Sequence, residues 1–344
     1  MNIGLIARSD ARGLGHITRE FFRHVQPAKT IVVQPAVSHH AQHGEWYPST
    51  KSNRVVTLEK WESRLPESNV RGWLEGLDVV YTAETFYDPR LPVWATEMGV
   101  ATVLHANPEF YRHEALPTMI WNQSPWRHNT LPDGAIVVGT PVATDRFVPS
   151  RRGIGPLRVL HVAGVNAAND RNGTPALLAA LAHVKEPVDV TLITQGRKVP
   201  IPRTSDNVRV TQRSEDGDYW AMYRDHDLLI LPRRYAGNSL PAQEAMAAGL
   251  AVIMPDCSPN EWWEPVIRVP AAQTGHIQTP GGKVGLWDTC PWQLAQAIDR
   301  LAIDSPDLAA AKSAGLRWAD AHSWDTMLPV YMSLFAEARD RVRG

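Results

Sequence analysis

The chain has 344 residues, 44% of them hydrophobic, which is enough for two ordinary domains with substantial cores. The formal net charge is −1, and residues 1–150 carry 14 Lys and Arg against 15 Asp and Glu, so neither half has the basic excess of a general nucleic-acid binder. Two cysteines, Cys257 and Cys290, are too few for a disulfide framework or a cysteine-rich zinc site. No apolar run approaches the ~18 residues of a membrane span, and the amino terminus lacks a signal-peptide pattern. We therefore expect a cytoplasmic protein.

Short apolar runs alternate with helical patterns along the first half. The runs predict strands at 3–7, 30–33, 78–81, 100–104 and 135–138, with a helix at 16–25 after the first of them. Proline, glycine and charge then cluster at 149–156, as in a linker. The first half thus reads as one α/β domain, 1–149.

The same alternation restarts after this linker. Strands are predicted at 157–162, 188–193, 208–210, 227–231 and 251–254. Apolar residues at helical spacing in 323–344 (Trp324, Leu328, Tyr331, Phe335 and Ala338) predict an amphipathic terminal helix. The organisation is therefore 1–149, 150–322 and a terminal helix at 323–344, with parallel sheets in both domains.

The segment 227–256, DLLILPRRYAGNSLPAQEAMAAGLAVIMPD, reads as strand, turn, short helix and strand. A glycine-led turn that opens a helix presents free N–H groups and the positive end of the helix dipole, which suits a phosphate. Glu244 lies in the first two turns of that helix, where a carboxylate can accept hydrogen bonds from two sugar hydroxyls. Phosphate plus ribose indicates a nucleotide. The alternative is an ordinary connection with a solvated glutamate.

Residues 235–249, YAGNSLPAQEAMAAG, resemble the donor-binding signature of the retaining GT-B glycosyltransferases that include glycogen synthase and sucrose synthase (glycosyl transferases group 1). That signature runs aromatic-Glu-Gly-x-Gly-Leu-x-x-x-Glu-Ala. Glu244 matches the second glutamate, which holds the ribose, and Ala236 replaces the first, which faces the transferred sugar. The resemblance implies that backbone N–H groups of the preceding turn contact phosphate or sugar, namely those of Gly237, Asn238, Ser239 and Leu240.

The resemblance continues on both sides of the predicted linker. Residues 139–149, GTPVATDRFVP, are similar to the phrase that ends the family's first domain, and residues 171–174, RNGT, follow the strand that opens its second. Asn172 stands where the family has a lysine on the donor diphosphate. Arg171, Arg233 or Arg234 could supply that cation instead, since guanidinium binds phosphate well. Three solvated arginines are the alternative.

The glycine-rich loop before the first helix is the other candidate for a phosphate site. Thr18 stands where a dinucleotide fingerprint needs glycine, so an NAD site is not indicated. The resemblance implies that Gly13 and Gly15 lie in the cleft near the donor phosphates. Alternatively, both glycines serve close packing of strand and helix.

Catalytic groups are expected where strands end, because open α/β sheets bind ligands there. His105 is the best match to a family histidine that bonds the transferred sugar, and Glu84 could orient an acceptor hydroxyl or take its proton. The alternative is that both residues cap buried loops. His39, His40 and His43 lie on a polar loop, and we expect no metal site there.

Together these features predict an α/β protein of the GT-B type, with two Rossmann-like domains whose parallel sheets face a central cleft. The predicted activity is glycosyl transfer from a nucleoside diphosphate sugar, with retention and without metal or other cofactor. The acceptor stays open among a glycan, a protein, a small molecule, a lipid head group and a modified DNA base. Because Ala236 and Asn172 replace a family glutamate and lysine, a catalytically silent nucleotide-sugar-binding protein is one alternative. A GT-B nucleotide-sugar epimerase is the other.

Overall fold

The computed structural model describes residues 1–33, 44–50, 54–58, 67–112, 116–151, 154–165, 170–195, 198–214, 218–303 and 306–344. His39, His40 and His43 lie outside these residues. The chain forms two compact units: the first contains Met1–Thr140, Thr279–Gly282 and Trp324–Gly344, and the second contains Pro141–Gln278 and Lys283–Ser323. Within the described residues, no helix is long and apolar enough to cross a membrane.

The first unit is built on a seven-stranded sheet. Its strands are β1 (Ile3–Arg8), β2 (Lys29–Val33), β3 (Arg54–Leu58), β4 (Val79–Ala83), β5 (Ala101–Ala106), β6 (Met119–Asn122) and β7 (Ile136–Val137). Their order is β3-β2-β1-β4-β5-β6-β7, and every neighbouring pair is parallel. The carboxyl ends of all seven strands therefore lie along one edge.

The second unit has a six-stranded sheet of the same kind. It comprises β8 (Leu157–Val165), β9 (Val188–Gln195), β10 (Val208–Ser214), β11 (Leu228–Ile230), β12 (Ala251–Pro255) and β13 (Ile267–Val269). The order is β10-β9-β8-β11-β12-β13, again with parallel pairs. Two further strands, β14 (Ala271–Thr279) and β15 (Gly282–Thr289), form a small sheet of their own. The predicted parallel α/β fold is confirmed.

Helices lie between strands in both units, except for the last three, which follow β15. They are α1 (Gly13–Val25), α2 (Glu67–Leu74), α3 (Leu91–Glu97), α4 (Thr174–Ala180), α5 (Leu240–Ala247), α6 (Pro291–Ala302), α7 (Pro306–Ala321) and α8 (Trp324–Arg343). In the second unit, Leu160 and Val162 of β8 face one core cluster, and Leu157 and Val159 face another. Because successive strand residues point to opposite faces, this alternation shows that both faces of the sheet are covered.

Helix α8 belongs to the first unit and buries an aromatic stripe. Tyr331 and Phe335 pack around Trp121 of β6, with ring centroids 4.8 and 5.1 Å away. Phe21 of α1 stacks on Tyr81 of β4 at 4.0 Å in the same cluster. Each such side chain stabilises the fold by about 1.5–3 kcal/mol through burial. The predicted amphipathic terminal helix is confirmed.

Several elements were not predicted. Strands β3, β6, β13, β14 and β15 and helices α2, α3, α6 and α7 are absent from the expectations, while α1 begins at Gly13 rather than at residue 16. Strand β6 reads MIWN, and β13 has three residues, so neither gives the long apolar run that marks a buried strand. These strands form because a neighbouring strand pairs with them.

A buried ion pair lies at the amino-terminal end of β11. Asp227, whose side chain is fully buried, accepts hydrogen bonds from Arg158 Nε at 2.9 Å and Nη2 at 2.8 Å, and Lys312 Nζ lies 3.4 Å from its Oδ1. Burial alone would raise the pKa of Asp227, but these two cations outweigh it and hold the pKa below its usual value. These ionic contacts link Arg158 of β8 and Lys312 of α7 to Asp227, the residue before β11.

Replacement Asp227→Asn should destabilise the second unit by about 3 kcal/mol at pH 7, because it leaves two partly buried cations without a carboxylate. A lowered folded pKa gives stability that is present above the unfolded value of about 3.9 and lost as pH falls. The deficit, measured by urea unfolding, should therefore shrink towards pH 3. Asp189→Asn, in the exposed pair with Arg209, is the control and should cost under about 1 kcal/mol. Equal losses in the two variants would contradict the assignment.

Candidate functional site

The loop between β11 and β12 contains the strongest sequence signal. Strands β11 and β12 pair in parallel, Leu228 opposite Ala251, so the turn before α5 lies at the carboxyl edge of the second sheet. Asn238 Oδ1 accepts hydrogen bonds from Ser239 N at 2.9 Å and from Gln243 Nε2 at 2.5 Å. The predicted strand, turn, helix and strand are all present. The Ser239 N–H, however, already has a partner within the turn.

The start of α5 offers donors that the helix itself cannot use. The first N–H groups of any helix have no carbonyl one turn earlier, which here applies to Leu240 and Ala242. Ser239, 1% exposed, makes no side-chain cap, and its Oγ has no hydrogen-bond partner among the described residues. A buried hydroxyl without a partner costs about 1–3 kcal/mol. Leu240 N–H, Ala242 N–H and Ser239 Oγ together suit an anionic group.

Glu244 sits behind this turn and is 5% exposed. Its Oε2 accepts hydrogen bonds from the hydroxyls of Tyr219 at 2.7 Å and Tyr223 at 2.5 Å. Burial, together with the Glu244 charge, raises the pKa of Tyr223 well above its usual value, so its hydroxyl keeps the proton and donates it to the carboxylate. Glu244 is therefore held in a defined orientation. A solvated surface glutamate is excluded.

The turn after β8 meets the loop after β11 through main-chain atoms. A Cβ on Gly173, which has a φ of +72°, would lie 1.8 Å from the Pro232 carbonyl oxygen, so this position requires glycine. Arg234 N also donates to Arg171 O at 2.9 Å. These contacts bring the predicted residues of 171–174 beside those of 234–240.

The three arginines of this region have different partners. Arg234 pairs with Asp288 of β15, its Nε 2.6 Å from Oδ1, and Arg233 Nη1 donates to the Asn238 carbonyl. The guanidinium of Arg171 lies over the Tyr235 ring, 5.4 Å from the centroid. Asp288 therefore compensates the charge of Arg234, and all three arginines lie in the loops that precede α4 and α5.

Two polar side chains fix the turn after β8. Asn172 Nδ2 donates to the carbonyls of Val162 at 2.9 Å and Ala163 at 3.2 Å, so its amide holds the loop. His161 Nδ1 donates to Ile230 O at 2.8 Å, and its Nε2 lies 2.9 Å from the Thr174 hydroxyl. Burial lowers the pKa of His161 to about 4, so the ring is neutral at pH 7. The amide nitrogen of Asn172, a predicted donor-binding residue, is thus engaged with the backbone of the loop.

In the first unit, the glycine loop lies at the start of α1. A Cβ on Gly15 would come within 1.8 Å of the Asp10 carbonyl oxygen, so this glycine is needed for close packing of β1 and α1. Gly13 is exposed at the first position of the helix. Packing, the simpler of the two interpretations, therefore accounts for Gly15.

His105 lies inside the first unit. It is fully buried, its Nε2 donates to Val138 O at 2.8 Å, and its Nδ1 accepts from the Tyr81 hydroxyl at 2.9 Å. Burial lowers its pKa to about 4, so the ring is uncharged. Both nitrogens are engaged with protein groups and neither is left for a sugar. This placement corresponds to the alternative in which His105 supports a buried loop.

Glu84 occupies the loop after β4 with an uncommon backbone conformation. Its φ is +68°, and Tyr87 three residues later has a φ of +63°. Asn107 Nδ2, from the loop after β5, lies 3.3 Å from Glu84 Oε2. Non-glycine residues in this region cost about 1–3 kcal/mol, and such strain concentrates at functional sites. Glu84 thus remains a candidate at the carboxyl edge of the first sheet.

Sequence reasoning missed four residues of these sites. Tyr219 and Tyr223 hold Glu244, Asp288 holds Arg234, and Asp170 accepts hydrogen bonds from Thr174 at the start of α4. Tyr219, Tyr223 and Asp288 are more than twenty residues from their partners, so no local pattern could have found them. Asp170 and Thr174 are only four residues apart, and a polar residue just before a helix was the signal that could have found this contact. Within the described residues, no group of three or more His, Cys, Asp or Glu is placed to hold a metal.

Comparison with known proteins gives one family match, which covers part of the chain. Residues 156–304 match the family model described as Glycosyl transferases group 1. No curated protein matches the sequence.

Three solved structures resemble nearly the whole chain. Sucrose-phosphate synthase from Thermosynechococcus elongatus gives a TM-score of 0.62 at 16% identity, over 98% of this chain and 100% of that chain. HepE from Anabaena, in complex with UDP and glucose, gives 0.64 at 13% over 98% and 100%. The lipopolysaccharide outer core galactosyltransferase WaaB in its apo form gives 0.60 at 14% over 97% and 99%. At these identities the likeness shows the fold.

The chain has the GT-B fold of these glycosyltransferases, and residues 156–304, which lie in its second unit, match the group 1 family. These findings agree with the resemblance seen in the donor-binding signature, and they confirm the predicted fold class. These comparisons do not concern the individual site residues, whose roles rest on the geometry described above.

Replacement Gly173→Ala should disrupt the junction of the two turns, since Cβ and the Pro232 oxygen cannot share the space. We expect a loss of about 2 kcal/mol or more in unfolding free energy, measured by urea unfolding. Gly99→Ala is the control: Gly99 has a φ of +69°, but its Cβ would meet nothing within 4 Å, so it adds only the backbone cost. Similar losses in both variants would show that the close approach does not matter.

Proposed function

We propose that this glycosyltransferase moves a sugar from a nucleoside diphosphate sugar to an acceptor hydroxyl, with retention of anomeric configuration and without metal. The observation that carries the proposal is the arrangement at α5. A buried, oriented carboxylate, Glu244, lies one helical turn from the Ser239 hydroxyl and the N–H groups at the start of α5. Ribose and phosphate are the two groups that these features suit.

On the donor side, each group has a distinct role in the proposal. Glu244 accepts hydrogen bonds from ribose hydroxyls, and the turn of Gly237, Asn238, Ser239 and Leu240 binds phosphate or sugar. Arg171 compensates the diphosphate charge, with Arg233 as the second choice, and a guanidinium can do so bidentately. HepE was solved with UDP and with UDP-glucose, which supports UDP-sugars as the first donors to test.

On the acceptor side, we propose Glu84 as the group that orients the acceptor hydroxyl. The strained backbone and the Asn107 contact hold its carboxylate at the end of β4. We do not assign His105 to sugar contact, because both of its nitrogens are bonded inside the unit. Retention with a leaving phosphate that helps to deprotonate the acceptor needs no protein nucleophile.

Mass spectrometry after incubation with UDP-, ADP- and GDP-sugars tests the activity. Slow release of nucleoside diphosphate and free sugar is the expected result, because transferases hydrolyse donors slowly when water replaces the acceptor. Formation of an isomeric nucleotide sugar would instead identify an epimerase. Binding without turnover would identify a silent protein. Unchanged hydrolysis in EDTA tests the metal-free step, and NMR of the first-formed anomer tests retention.

Glu244→Gln should weaken nucleoside diphosphate binding by about 2–3 kcal/mol, that is about 30- to 150-fold in Kd, since the amide bonds ribose less strongly than a carboxylate. Titration calorimetry with the tightest-binding diphosphate of the panel measures it. Glu264→Gln, at an exposed position of the same unit, is the matched control and should leave Kd unchanged. If Glu244→Gln binds as tightly as the parent, the ribose lies elsewhere.

Glu84→Gln should lower turnover by about 10²-fold or more while leaving nucleotide affinity unchanged, because a positioned carboxylate acts on the acceptor rather than on the donor. Donor hydrolysis and calorimetry on the same preparation separate the two effects. The exposed Glu75→Gln in the same unit serves as control. A variant with normal turnover would remove Glu84 from the mechanism.

A further inference from the structure

The segment Tyr219–Tyr223 is a short 3-10 helix that places two tyrosines on one side. Asp218 caps it: the Asp218 side chain accepts a hydrogen bond from Trp220 N at 3.1 Å. Tyr219 and Tyr223 are four residues apart, and their hydroxyls converge on the same oxygen, Glu244 Oε2. The segment thus presents a pair of donors to one carboxylate.

Residues Arg146 and Phe147 pack against this 3-10 helix. The Phe147 ring meets Trp220 and Tyr223 edge-on, with centroids 5.4 and 5.6 Å away, and the Arg146 guanidinium lies over Trp220 at 5.7 Å. Arg146 and Phe147 belong to the motif 139–149 that the sequence singled out without a function. Their contacts give the motif a place in the second unit: it holds the tyrosine segment.

Two hydrogen bonds to one oxygen restrict the carboxylate more than one would. Rotation of the Glu244 carboxylate breaks both bonds, and hydroxyl donors to a charged oxygen are among the stronger hydrogen bonds in proteins. The direction of Oε1 is fixed as a consequence. A carboxylate held in one orientation binds a sugar with two correctly placed hydroxyls more tightly than a sugar that lacks one of them. A carboxylate that rotates freely can adapt to either sugar and discriminates less.

We propose that Tyr219 and Tyr223 are positioning residues that set a preference for ribonucleoside over 2′-deoxyribonucleoside diphosphates by fixing Glu244. This inference rests on the proposed contact between Glu244 and the ribose. Tyr223 is fully buried and Tyr219 is partly exposed, so Tyr223 carries more of the restraint.

The test compares Kd values by calorimetry for UDP, ADP or GDP, whichever binds the parent most tightly, and for its 2′-deoxy analogue. The parent should bind the ribonucleotide at least about tenfold more tightly. The double variant Tyr219→Phe, Tyr223→Phe keeps both rings and should reduce this ratio to about threefold or less. Tyr223→Phe alone should lower it more than Tyr219→Phe.

Tyr47→Phe is the control for the loss of a buried tyrosine hydroxyl. Tyr47 donates to Arg8 O at 2.8 Å and lies 2.9 Å from Thr18 Oγ1 in the first unit, so its removal should leave the ratio unchanged. If thermal unfolding shows that the double variant does not fold, the single variant Tyr219→Phe is used in its place, and its ratio should fall about twofold.

Three outcomes would overturn the inference. They differ in whether they also overturn the ribose contact or the proposed function. Variants that lose affinity for both nucleotides equally would show a structural role for the tyrosines. A parent that binds ribo- and deoxyribonucleotides alike would remove the ribose contact while leaving glycosyl transfer intact. A parent that binds none of the three diphosphates would overturn the proposed function as well.

Discussion

The contact between the main chain at Gly173 and the Pro232 carbonyl determines how the candidate donor site is assembled. Strands β8 and β11 are neighbours in the sheet, so their carboxyl ends are adjacent. Glycine at 173 allows the turns that follow them to touch, and the bond from Arg234 N to Arg171 O follows from that touch. The arginines of the two turns are therefore brought together by main-chain contacts.

The charges at this site are each oriented by a second group. Two tyrosines hold Glu244, and Asp288, itself bonded by Thr274, holds Arg234. Burial tends to raise the pKa of Asp288, yet the hydrogen bonds of Arg234 outweigh it and lower that pKa. Charged groups held in place need no reorganisation when a ligand arrives, and this is the property that gives a polar site its selectivity.

The sequence predicted the parts that local pattern controls. Residues 227–256 gave strand, turn, helix and strand, because apolar runs, glycine and proline punctuate them. It could not predict that Glu244 is bonded by Tyr219 and Tyr223, since side chains more than twenty residues apart meet only after the strands align. His105 shows another limit: β5 is buried on both faces, so no polar alternation reveals which side chains point inward. Its position at the end of a strand predicted a ligand contact, but the His105 side chain packs in the aromatic cluster on one face of the sheet.

The turn with alanine at 236 is closed and hydrogen-bonded although it lacks the glutamate of the family signature. Asn238 satisfies Ser239 N and Gln243 Nε2, and Ala236 is 5% exposed, so the turn is closed by its own hydrogen bonds and by burial. The Ser239 hydroxyl nevertheless stays buried without a partner among the described residues. A buried hydroxyl without a partner costs stability, so the Ser239 hydroxyl is a natural acceptor or donor for any group that binds at the start of α5.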